Sequence, residues 1–556
     1  MERPLHFIEH IIEEDIAAGF SKKNLRFRFP PEPNGYLHIG HVKAICLNFN
    51  LGERYSAPVN LRFDDTNPAK EEQQFVDAIK ENITWLGYEW DRECYASDYF
   101  DQLYDWAQLL ISKGLAYVDS QNSETIASQK GTPRTSGTHS PFRDRSIHEN
   151  QELFAEMKLG KHPEGAHVLR AKIDMSSPNM LLRDPVMYRI LYKTHHRTAD
   201  RWCIYPLYDW THGESDYIEQ VSHSLCSLEF KPHRDLYDWF LEALSPLEKL
   251  PPKQREFARM NLSYTVTSKR KLLELIEERI VNDWDDPRLP TIAGLRRRGY
   301  TPTSLRNFVD TAGVAKRDNI IDMSLLEFSV REDLNITAPR VMAVLDPIKL
   351  TISNYPEGKE ELLEGEINPE QLELGSRTIP FSKHLLIERE DFKEEANRKF
   401  FRLTLDKEVR LKNGYIIKGE SVVKNDLGMI TEIICSYDPD SKSGSGTEAS
   451  MRKVKGTLHW VSEAHALPAE VRLYDRLFQV EAPDQDKEVD FKTHVNPNSL
   501  SIINAFVEPS LKTAKAFENF QFQRLGYFVV DPDTTEHKLI FNKTVGLRDT
   551  WSKQNQ

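Results

Sequence analysis

Cysteine is scarce in this sequence of 556 residues, and the five that occur are scattered along the chain. No two of them form a Cys-x-x-Cys pair, so we expect neither a disulfide framework nor a thiolate zinc site. A chain without disulfides fits a reducing compartment, and we expect a cytoplasmic protein. The cysteines are Cys46, Cys94, Cys203, Cys226 and Cys435.

Long apolar runs are also missing. No stretch approaches the roughly 18 apolar residues that a membrane span needs, so we expect no membrane partner. The first 20 residues carry five acids and no apolar segment, which argues against a signal peptide. The phosphate-binding motif GxxxxGK[ST] does not occur anywhere in the chain.

An excess of basic residues is the third absence, because the net charge is −13. Phosphate binding needs Lys and Arg, so this total does not by itself favour a nucleic-acid partner. Net charge is an average, however, and a large protein can be acidic overall and basic along one face. The distribution of charge along the chain therefore decides the question.

The first hundred residues alternate between strand and helix patterns. LRFRF (residues 25–29) and PVNLRFDD (residues 58–65) read as strands, and apolar residues recur at helical spacing after each of them. Strand, helix, strand and helix at this spacing predict a parallel, doubly wound α/β sheet. RWCIYPLYDWTHG (residues 201–213) predicts a further strand, with Tyr208 inside it, at which this α/β domain resumes.

The remaining chain divides by composition. Residues 100–200 include a polar, turn-rich segment that looks like an insertion, and residues 438–450 read as a flexible loop. The helical part is followed by short alternating strands that predict β-barrels or sandwiches. At about 150 residues per domain, a chain of this length suggests about four domains. The predicted parts are 1–99 and 201–260 for the two halves of the α/β domain, 100–200 for the insertion, 261–338 for a helical domain and 339–556 for the β-rich part.

The stretch PPEPNGYLHIGHVKAI, residues 30–45, joins the first predicted strand to the first helix. His38 and His41 share a face of that helix, whose N-terminal amides and dipole favour a phosphate. Two imidazoles there could donate to a phosphate whose charge grows in a transition state. Gly40 would let a flat ligand approach the backbone. For the histidine pair alone, an incidental surface pair or half of a metal site is the alternative.

A second segment, YTVTSKRKL (residues 264–272), carries adjacent cations beside Ser and Thr. A solvated helix start is the plain interpretation, and a mobile loop in which Lys269 closes over a polyphosphate is the functional one. HIGH after a strand, with TSK more than 220 residues later, resembles the paired motifs of class I aminoacyl-tRNA synthetases. Ser268 and Lys269 match the third and fourth positions of the usual K-M-S-K-S, whereas Val266 and Thr267 depart from the first two.

Further segments carry a closer resemblance to the glutamyl/glutaminyl subgroup, and within it to glutaminyl-tRNA synthetases. This resemblance covers essentially the whole chain. The segments that carry it are RFPPEPNGYLHIGH, NLRFDDTNP, CIYPLYDWTHG, HSLCSLEF, DDPRLPTIAGLRRRGYTP and GLRDTW. The resemblance implies a multidomain α/β and β protein. It would have a Rossmann-like catalytic domain, an inserted acceptor-end-binding domain, a helical linker and two C-terminal anticodon-binding β-barrels.

The family uses its two motifs to bind ATP and to stabilise the α-phosphate while an amino-acid carboxylate attacks it. The resemblance therefore implies that His38, His41 and Lys269 are catalytic. Mg²⁺ would accompany ATP on its phosphates, since the sequence shows no dedicated metal cage. The implied ATP contacts are Glu32, Pro33, Asn34, His38, Ile39, Gly40, His41, Val42, Lys43, Ala44, Ser227, Arg259, Met260, Thr267, Ser268 and Lys269.

The implied glutamine pocket uses Asp64 and Tyr208, with Arg28, Cys226 and Gln254 nearby. Asp64 ends a predicted strand and can hold an α-ammonium group by a charge-assisted bond. The Tyr208 hydroxyl can both donate to and accept from an amide. From the residues alone, Asp64 as a helix cap and Tyr208 as plain core remain the alternatives.

Cys226 bears on the choice of amino acid. A small buried thiol is its plain interpretation. The glutamyl relatives have Arg at the matching place, where it would pair with a substrate carboxylate. A neutral Cys removes that pairing, whose charge-assisted bond is worth about 1.5–3 kcal/mol, and so favours glutamine over glutamate.

One segment of the chain is basic enough to bind RNA, although the chain as a whole is acidic. Residues 398–424 hold eight Lys and Arg against three acids, with aromatics interleaved, which suits phosphates and unpaired bases. A generic charged strand face is the alternative for any single Arg. Phe401, where the family often has Lys, and Pro133 in the segment 131–135 depart from its pattern. The implied tRNA contacts are Lys316, Arg317, Arg340, Arg402, Arg410, Lys412, Gln521 and Arg524.

The resemblance implies ATP-dependent activation of L-glutamine and transfer to the 3′ end of tRNA(Gln), and we expect a monomer. A glutamyl-tRNA synthetase of the β-barrel type is the closest alternative. A catalytically silent RNA-binding relative and a tRNA-independent nucleotidyltransferase are two others. The intact His38, His41 and Lys269 disfavour the silent relative, and the basic β-rich C-terminal part disfavours the nucleotidyltransferase.

Overall fold

A computed structural model describes residues 4–69, 71–397 and 399–548 of the chain. These residues form two compact units, one of residues 1–261 and 309–321 and the other of residues 262–308 and 322–556. Arg398, and Asp549 to Trp551 of the GLRDTW segment, lie outside the described residues. No helix of the described part is long and apolar enough to cross a membrane.

The helices of the described residues are α1 (Phe7–Ala17), α2 (Ile39–Tyr55), α3 (Gln73–Trp85), α4 (Phe100–Ser112), α5 (Ser123–Gln129), α6 (Ile147–Lys158), α7 (Tyr208–Glu219), α8 (Arg234–Ala243), α9 (Lys269–Glu277), α10 (Ile292–Arg297), α11 (Pro302–Ala312), α12 (Met323–Thr337) and α13 (Glu448–Met451). The first eleven strands are β1 (Phe27–Phe29), β2 (Val59–Phe63), β3 (Glu93–Tyr95), β4 (Ala116–Asp119), β5 (Val168–Ala171), β6 (Val186–Ile190), β7 (Ile204–Pro206), β8 (His223–Ser227), β9 (Lys253–Phe257), β10 (Met260–Leu262) and β11 (Asn319–Ile321).

The strands of the C-terminal part are β12 (Arg340–Val341), β13 (Ala343–Val344), β14 (Pro347–Ile352), β15 (Glu361–Glu366), β16 (Ser376–Phe381), β17 (His384–Glu388), β18 (Glu408–Leu411), β19 (Ile416–Lys424), β20 (Ile430–Tyr437), β21 (Thr457–Leu458), β22 (Val461–Ser462), β23 (Leu467–Tyr474), β24 (Leu500–Val507), β25 (Asn519–Phe522), β26 (Gly526–Val530) and β27 (Leu539–Gly546).

The first unit is built on short parallel strands, of which β1 and β2 are buried on both faces. β1 pairs with β2 and β2 with β3, all parallel, and β8 pairs in parallel with β9. The Ser222 amide donates to the Arg26 carbonyl at 2.9 Å, which sets the β8–β9 pair beside β1. The resulting order, β3-β2-β1-β8-β9 with helices between, is that of the predicted doubly wound fold.

An antiparallel sheet, β4-β5-β6-β7, lies within the same unit and packs on α4 and α6 around Phe154 and Tyr188. The strand predicted over residues 201–213 is wrong in its extent. β7 ends at Pro206 and pairs with β6, and Tyr208 is the first residue of α7. An apolar run that leads from a short buried strand into a buried first helical turn shows no change of pattern at the junction, which explains the error.

In the second unit α9 packs its apolar face on Phe478 and Phe491. The β-rich part forms two seven-stranded sheets, β21-β18-β19-β20-β14-β17-β22 and β12-β25-β26-β27-β23-β24-β13. Each sheet wraps its own core, the first around Trp460 and Phe381, the second around Phe522 and Phe541. The segment 438–450, predicted to be a flexible loop, contains a 3₁₀ turn and the start of α13.

Candidate active site and nucleic-acid interface

His38 and His41 cap the N-terminus of α2 for each other. The His38 Nδ1 accepts a hydrogen bond from the Gly40 amide, and the His41 Nδ1 accepts one from the His38 amide, both at 3.1 Å. The two ring centroids lie 4.0 Å apart. The histidines therefore satisfy amides that a helix start leaves unpaired, in a reciprocal capping box.

Burial keeps both rings neutral, and the capping hydrogen bonds determine which nitrogen carries the proton. Burial lowers the pKa of His41 to about 4. Burial and, next, the neighbouring His41 lower the pKa of His38 well below its ordinary value. Neutral rings whose Nδ1 atoms accept must carry their proton on Nε2. Each ring therefore offers one Nε2–H donor, the group that a phosphate oxygen requires.

Gly40 is needed for this arrangement as well as for ligand approach. A Cβ on Gly40 would lie 2.9 Å from the His38 Cε1 and 3.7 Å from the Met260 carbonyl oxygen. Any side chain at this position would displace the His38 ring from its cap. The absence of a side chain at Gly40 thus leaves room for the His38 ring in its capping position.

Further predicted ATP residues lie around this helix start within the first unit. Lys43 is buried, which lowers its pKa, and the Asp318 carboxylate opposes that shift. The same Asp318 accepts from the Arg259 amide at 2.9 Å, and the Arg259 guanidinium lies 3.0 Å from Glu229. Ser227 donates to Glu229 at 2.7 Å. Lys43, Arg259 and Ser227 are therefore linked through two carboxylates.

Thr267, Ser268 and Lys269 belong to the second unit. Lys269 is the first residue of α9, exposed, and Ser268 occupies the N-cap position without a side-chain cap hydrogen bond. A cation at a helix N-terminus is unfavourable for the helix dipole. The segment is thus an exposed helix start at which Lys269 is not favoured by the helix dipole.

Asp64 lies at the end of β2 and does not cap a helix, because the N-cap of α3 is Glu72. Its carboxylate accepts from the Arg62 Nε at 2.9 Å and lies 3.8 Å from the His212 Nδ1. Burial raises the pKa of Asp64, but Arg62 and His212 outweigh it, so the pKa is lowered. Asp64 is therefore ionised and almost fully buried, as the capture of an ammonium group requires.

One face of α7 carries Tyr208, His212 and Asp216 at four-residue spacing. The Tyr208 ring stacks on His212 with centroids 4.8 Å apart. Burial first, and Asp64 next, raise the pKa of Tyr208 well above its ordinary value, so its hydroxyl keeps its proton. The sequence analysis missed His212 and Asp216, and the i, i+4, i+8 spacing in YDWTHGESD was the signal that could have found them.

Arg28 and Arg62 converge on Asp216 from two neighbouring strands. The Arg28 Nε and the Arg62 Nη1 donate to the same Asp216 oxygen at 3.1 and 2.7 Å. Arg28 also donates to the Leu225 carbonyl at 2.8 Å and to Ser224 at 2.6 Å. The guanidinium of Arg28 is thus committed to the protein, which makes Arg28 a support of the pocket.

Cys226 and Gln254 lie on the neighbouring strands β8 and β9. Burial is the main cause that raises the pKa of the Cys226 thiol, so this group is neutral. The Gln254 amide donates to the Phe230 carbonyl and to Glu256, both at 3.0 Å. Three of the five predicted residues, Arg28, Asp64 and Tyr208, therefore meet around His212. Cys226 interacts electrostatically with Arg28 and Tyr208, and Gln254 braces the strand beside it.

One group in the first unit has the residue types of a metal site: Asp65, His195 and His196. The His195 Nδ1 accepts from the amides of Arg197 and Thr198 at 3.1 and 3.2 Å. The proton must therefore be on Nε2, which donates to the Asp65 carbonyl at 2.8 Å. A ring nitrogen that carries a proton cannot bind a metal ion, so these hydrogen bonds make His195 structural.

Four predicted tRNA residues line one pocket of about 390 Å³ in the second unit: Arg340, Lys412, Gln521 and Arg524. Arg340 and Gln521 are register partners on β12 and β25. Arg524 makes a bidentate pair with the buried Asp391, at 2.5 and 2.7 Å. Asp391, which the sequence analysis missed, thus holds Arg524 in a fixed orientation at the pocket.

The other predicted tRNA residues are placed differently. Arg402 also pairs with Asp391, at 3.3 Å, and with Glu390 at 2.9 Å, and it stays partly exposed. Arg410 donates to the carbonyls of Ser441 and Ser450 at 3.1 and 2.8 Å, so it holds the segment 438–450 in place. Lys316 and Arg317 are exposed in the first unit, with Lys316 5.1 Å from the centre of the Phe7 ring.

Comparisons with known proteins agree along the chain. The family model described as tRNA synthetases class I (E and Q), catalytic domain, matches residues 24–336. Two models described as anti-codon binding domains of the same synthetases match residues 338–438 and 457–531. Most strands of the two seven-stranded sheets lie within the residues that these two models match. The last strand, β27, follows the second range.

Curated relatives match over nearly the full length. A glutamine–tRNA ligase from Rhodopirellula baltica is 56% identical over 549 residues, which are 99% of this chain and 90% of that protein. One from Pseudoalteromonas atlantica is 54% identical over 556 residues, covering 99% and 98%. Among solved structures, a glutamate tRNA ligase from Elizabethkingia meningosepticum matches at 18% identity with a TM-score of 0.43, over 57% of this chain and 70% of that chain.

Proposed function

Because the chain belongs to the class I tRNA synthetases of the E and Q group, we propose that it is a glutamine–tRNA ligase. In the first step the carboxylate of L-glutamine attacks the α-phosphate of ATP and releases pyrophosphate. In the second, the terminal ribose of tRNA(Gln) attacks the carbonyl carbon of glutaminyl-adenylate and releases AMP. The full-length similarity to curated glutamine–tRNA ligases favours this function over the glutamyl alternative.

The observation that carries the choice of glutamine is the charge balance of the predicted glutamine pocket around Asp64, Tyr208 and His212, which we call the amino-acid end of the site. Asp64 supplies one negative charge for the substrate ammonium, and Arg62 and Arg28 are both bonded to carboxylates. Tyr208 and Cys226 are neutral. A glutamate side chain would meet no uncommitted cation among the described residues around His212, whereas an amide meets a hydroxyl that can donate and accept.

The ATP end acts by positioning and by stabilising charge. The Nε2–H groups of His38 and His41, and the start of α2, would donate to phosphate oxygens of ATP. These donors are nitrogen atoms, which suit a phosphate and not Mg²⁺, since Mg²⁺ prefers oxygen ligands. We expect Mg²⁺ to arrive on the phosphates of ATP, where it offsets their charge, and we assign no protein general base. The role of Lys269 at the phosphates stays a prediction from the sequence.

The tRNA assignment is supported by the pocket that gathers Arg340, Lys412, Gln521 and Arg524. A rigidly held Arg524 suits bidentate recognition of a base edge or phosphate. The domain boundaries drawn from the sequence, the monomeric state and the cytoplasmic location also stay predictions.

Aminoacylation of tRNA(Gln) with glutamine and with glutamate in parallel tests the proposal. We expect glutamine to be charged with the higher kcat/KM. Faster charging of glutamate would establish the glutamyl alternative. ATP–pyrophosphate exchange, run with tRNA present, separates both from a silent RNA-binding relative, which would show no exchange.

A further inference from the structure

A second basic pocket lies in the second unit, apart from every predicted tRNA residue. Its volume is about 240 Å³, and five cationic side chains line it against two carboxylates, in a chain whose net charge is negative. We call it the basic pocket. Its cations are Arg298, Arg331, Arg476, Lys543 and Arg548.

The two carboxylates, Glu327 and Asp475, are fewer than the five cations, although both act electrostatically on Lys543. Glu327 lies 3.6 Å from Arg476 and 4.0 Å from Arg331, so one carboxylate serves two guanidinium groups. Within the part of the chain that the structure describes, Arg298, Lys543 and Arg548 have no carboxylate at salt-bridge distance. Arg298 and Lys543 are partly buried. Cations in such positions are normally paired, so this arrangement indicates a missing anion.

Arg298 differs from the arginines beside it. Arg297 makes salt bridges to Asp285, Asp531 and Asp533 at 2.8–3.0 Å, and Arg296 lies over the Phe517 ring. Arg298 instead donates, at 3.2–3.4 Å, to three backbone carbonyls, those of Pro287, Tyr474 and Thr544. Its charge is therefore left uncompensated by carboxylates at the wall of the basic pocket.

Two segments of the sequence that the proposed function leaves without a role meet here. Arg298 comes from GLRRRGYTP and Arg548 from GLRDTW. Lys543, on β27, lines the same pocket, and its pKa is lowered by burial first and by Arg298 next, although Asp475 and Glu327 act in the opposite direction. A bound anion would offset the repulsion between Lys543 and Arg298. Asn498 and Ser501 add neutral donors to the same wall.

We propose that the basic pocket binds a phosphate group, carried either by a polynucleotide backbone or by a free polyphosphate. Its volume corresponds to about eight water molecules, which is room for a phosphate with part of its hydration. Guanidinium groups match phosphate oxygens in bidentate geometry, and Lys543 supplies a compact charge. The polynucleotide source rests on the proposed function; the polyphosphate source does not.

The test uses the full-length protein and the variants Lys543→Gln and Arg548→Gln. Arg548 is exposed, so its variant keeps the test valid if Lys543→Gln fails to fold. Lys512→Gln is the matched control, because Lys512 is exposed, lies in the same unit and does not line the basic pocket. Two measurements are made: calorimetric titration with tripolyphosphate under saturating ATP, and tRNA binding as a function of KCl concentration.

A tripolyphosphate site that both pocket variants lose and the control keeps would support a polyphosphate ligand. Without tripolyphosphate binding, a roughly 5- to 10-fold weaker tRNA affinity at low salt would support a backbone phosphate. In that case the slope of log affinity against log salt should become shallower by nearly 1 per lost contact. Variants that match Lys512→Gln in both measurements would overturn the proposal.

This outcome is separable from a failure of the proposed function. If the wild-type protein charges tRNA with glutamine while the pocket variants behave as the control does, only the basic pocket is refuted. If the wild-type protein charges no tRNA but binds tripolyphosphate through Lys543 and Arg548, the basic pocket stands and the ligase assignment fails.

Discussion

The amino-acid end of the first unit and the basic pocket of the second use the same residue types in opposite ways. At the amino-acid end, Arg28 and Arg62 each donate to Asp216 within 3.1 Å. In the basic pocket, the hydrogen bonds that Arg298 makes to described residues all go to carbonyl oxygens, at 3.2 Å or more. Compensated cations build a scaffold, and uncompensated cations around a cavity are prepared for a ligand.

The largest expected effect comes from breaking the compensated side. Asp216→Asn would leave two buried guanidinium groups short of their shared carboxylate, which should cost about 3–5 kcal/mol of stability. Urea unfolding of the wild type and the variant measures this. Asp101→Asn, in an exposed pair with Arg201, should change the midpoint little. Equal midpoints for all three proteins would mean that the buried network is not a scaffold.

The next effect concerns an exposed cation. Lys269→Ala should slow adenylate formation roughly 100-fold, since a cation at the phosphates acts mainly in the transition state. Pyrophosphate exchange and tRNA binding are measured together. The neighbouring Arg270 is 83% exposed, and Arg270→Ala should leave both unchanged. Equal losses in exchange and in tRNA binding would refute the assignment of Lys269.

The substitution Cys226→Arg would add an uncompensated cation to the amino-acid end, which would then resemble the basic pocket. Cys226→Arg should lower the ratio of kcat/KM for glutamine over glutamate roughly 10- to 100-fold, because a cation favours the carboxylate. Cys226→Ser keeps the site neutral and should preserve the ratio. An unchanged ratio in a folded Cys226→Arg protein would show that the charge at this place does not select the amino acid.

Glu214 is a buried acid on α7 beside the network, and no cation of the described residues compensates it. Burial raises its pKa well above the ordinary value, so the folded protein keeps the proton while the unfolded chain loses it. Its contribution to stability is complete below the unfolded pKa and falls, by at most about 1.4 kcal/mol per pH unit, as pH rises towards the folded pKa. Glu214→Gln should therefore gain on the wild type between pH 5 and 8 in thermal unfolding. A constant difference across this range would contradict a protonated Glu214.

The smallest effect is expected at Arg402, which is compensated by Glu390 and Asp391 yet remains 37% exposed. Arg402→Ala should raise the KM for tRNA a few-fold and leave the KM for ATP unchanged. Lys399→Ala, exposed in the same segment, is the control. A matched loss in ATP use would count against a role at the tRNA.

The motifs in the sequence predict where the active site lies, and that prediction stays untested, but they could not assign every role. The strand, turn and helix around His38 and His41 are as predicted, because these elements depend on local spacing. That each histidine caps the other, and that both are therefore Nε2–H donors, follows from hydrogen bonds seen only in the structure. Tyr208 was misplaced in a strand because an apolar run continues across the boundary between β7 and α7.

Basic side chains show the same limit. The resemblance implies tRNA contacts for both Arg340 and Arg410, and the structure shows that both guanidinium groups donate to backbone carbonyls nearby. Lysines and arginines on a predicted strand look identical whether they point to a ligand or to a loop. Only Arg524, held by a carboxylate 133 residues away, joins Arg340, Lys412 and Gln521 at one pocket.

The sequence by itself determined the class of protein, the doubly wound start, the β-rich end and the position of the HIGH helix, since each depends on motifs or periodicities within a few residues. The tertiary structure decided which charges are neutralised. Arg28 and Asp216 are 188 residues apart, and Arg298 and Thr544 are 246 residues apart. Pairing over such separations depends on the packing of whole elements, so whether a buried cation becomes scaffold or binding site is a property of the fold.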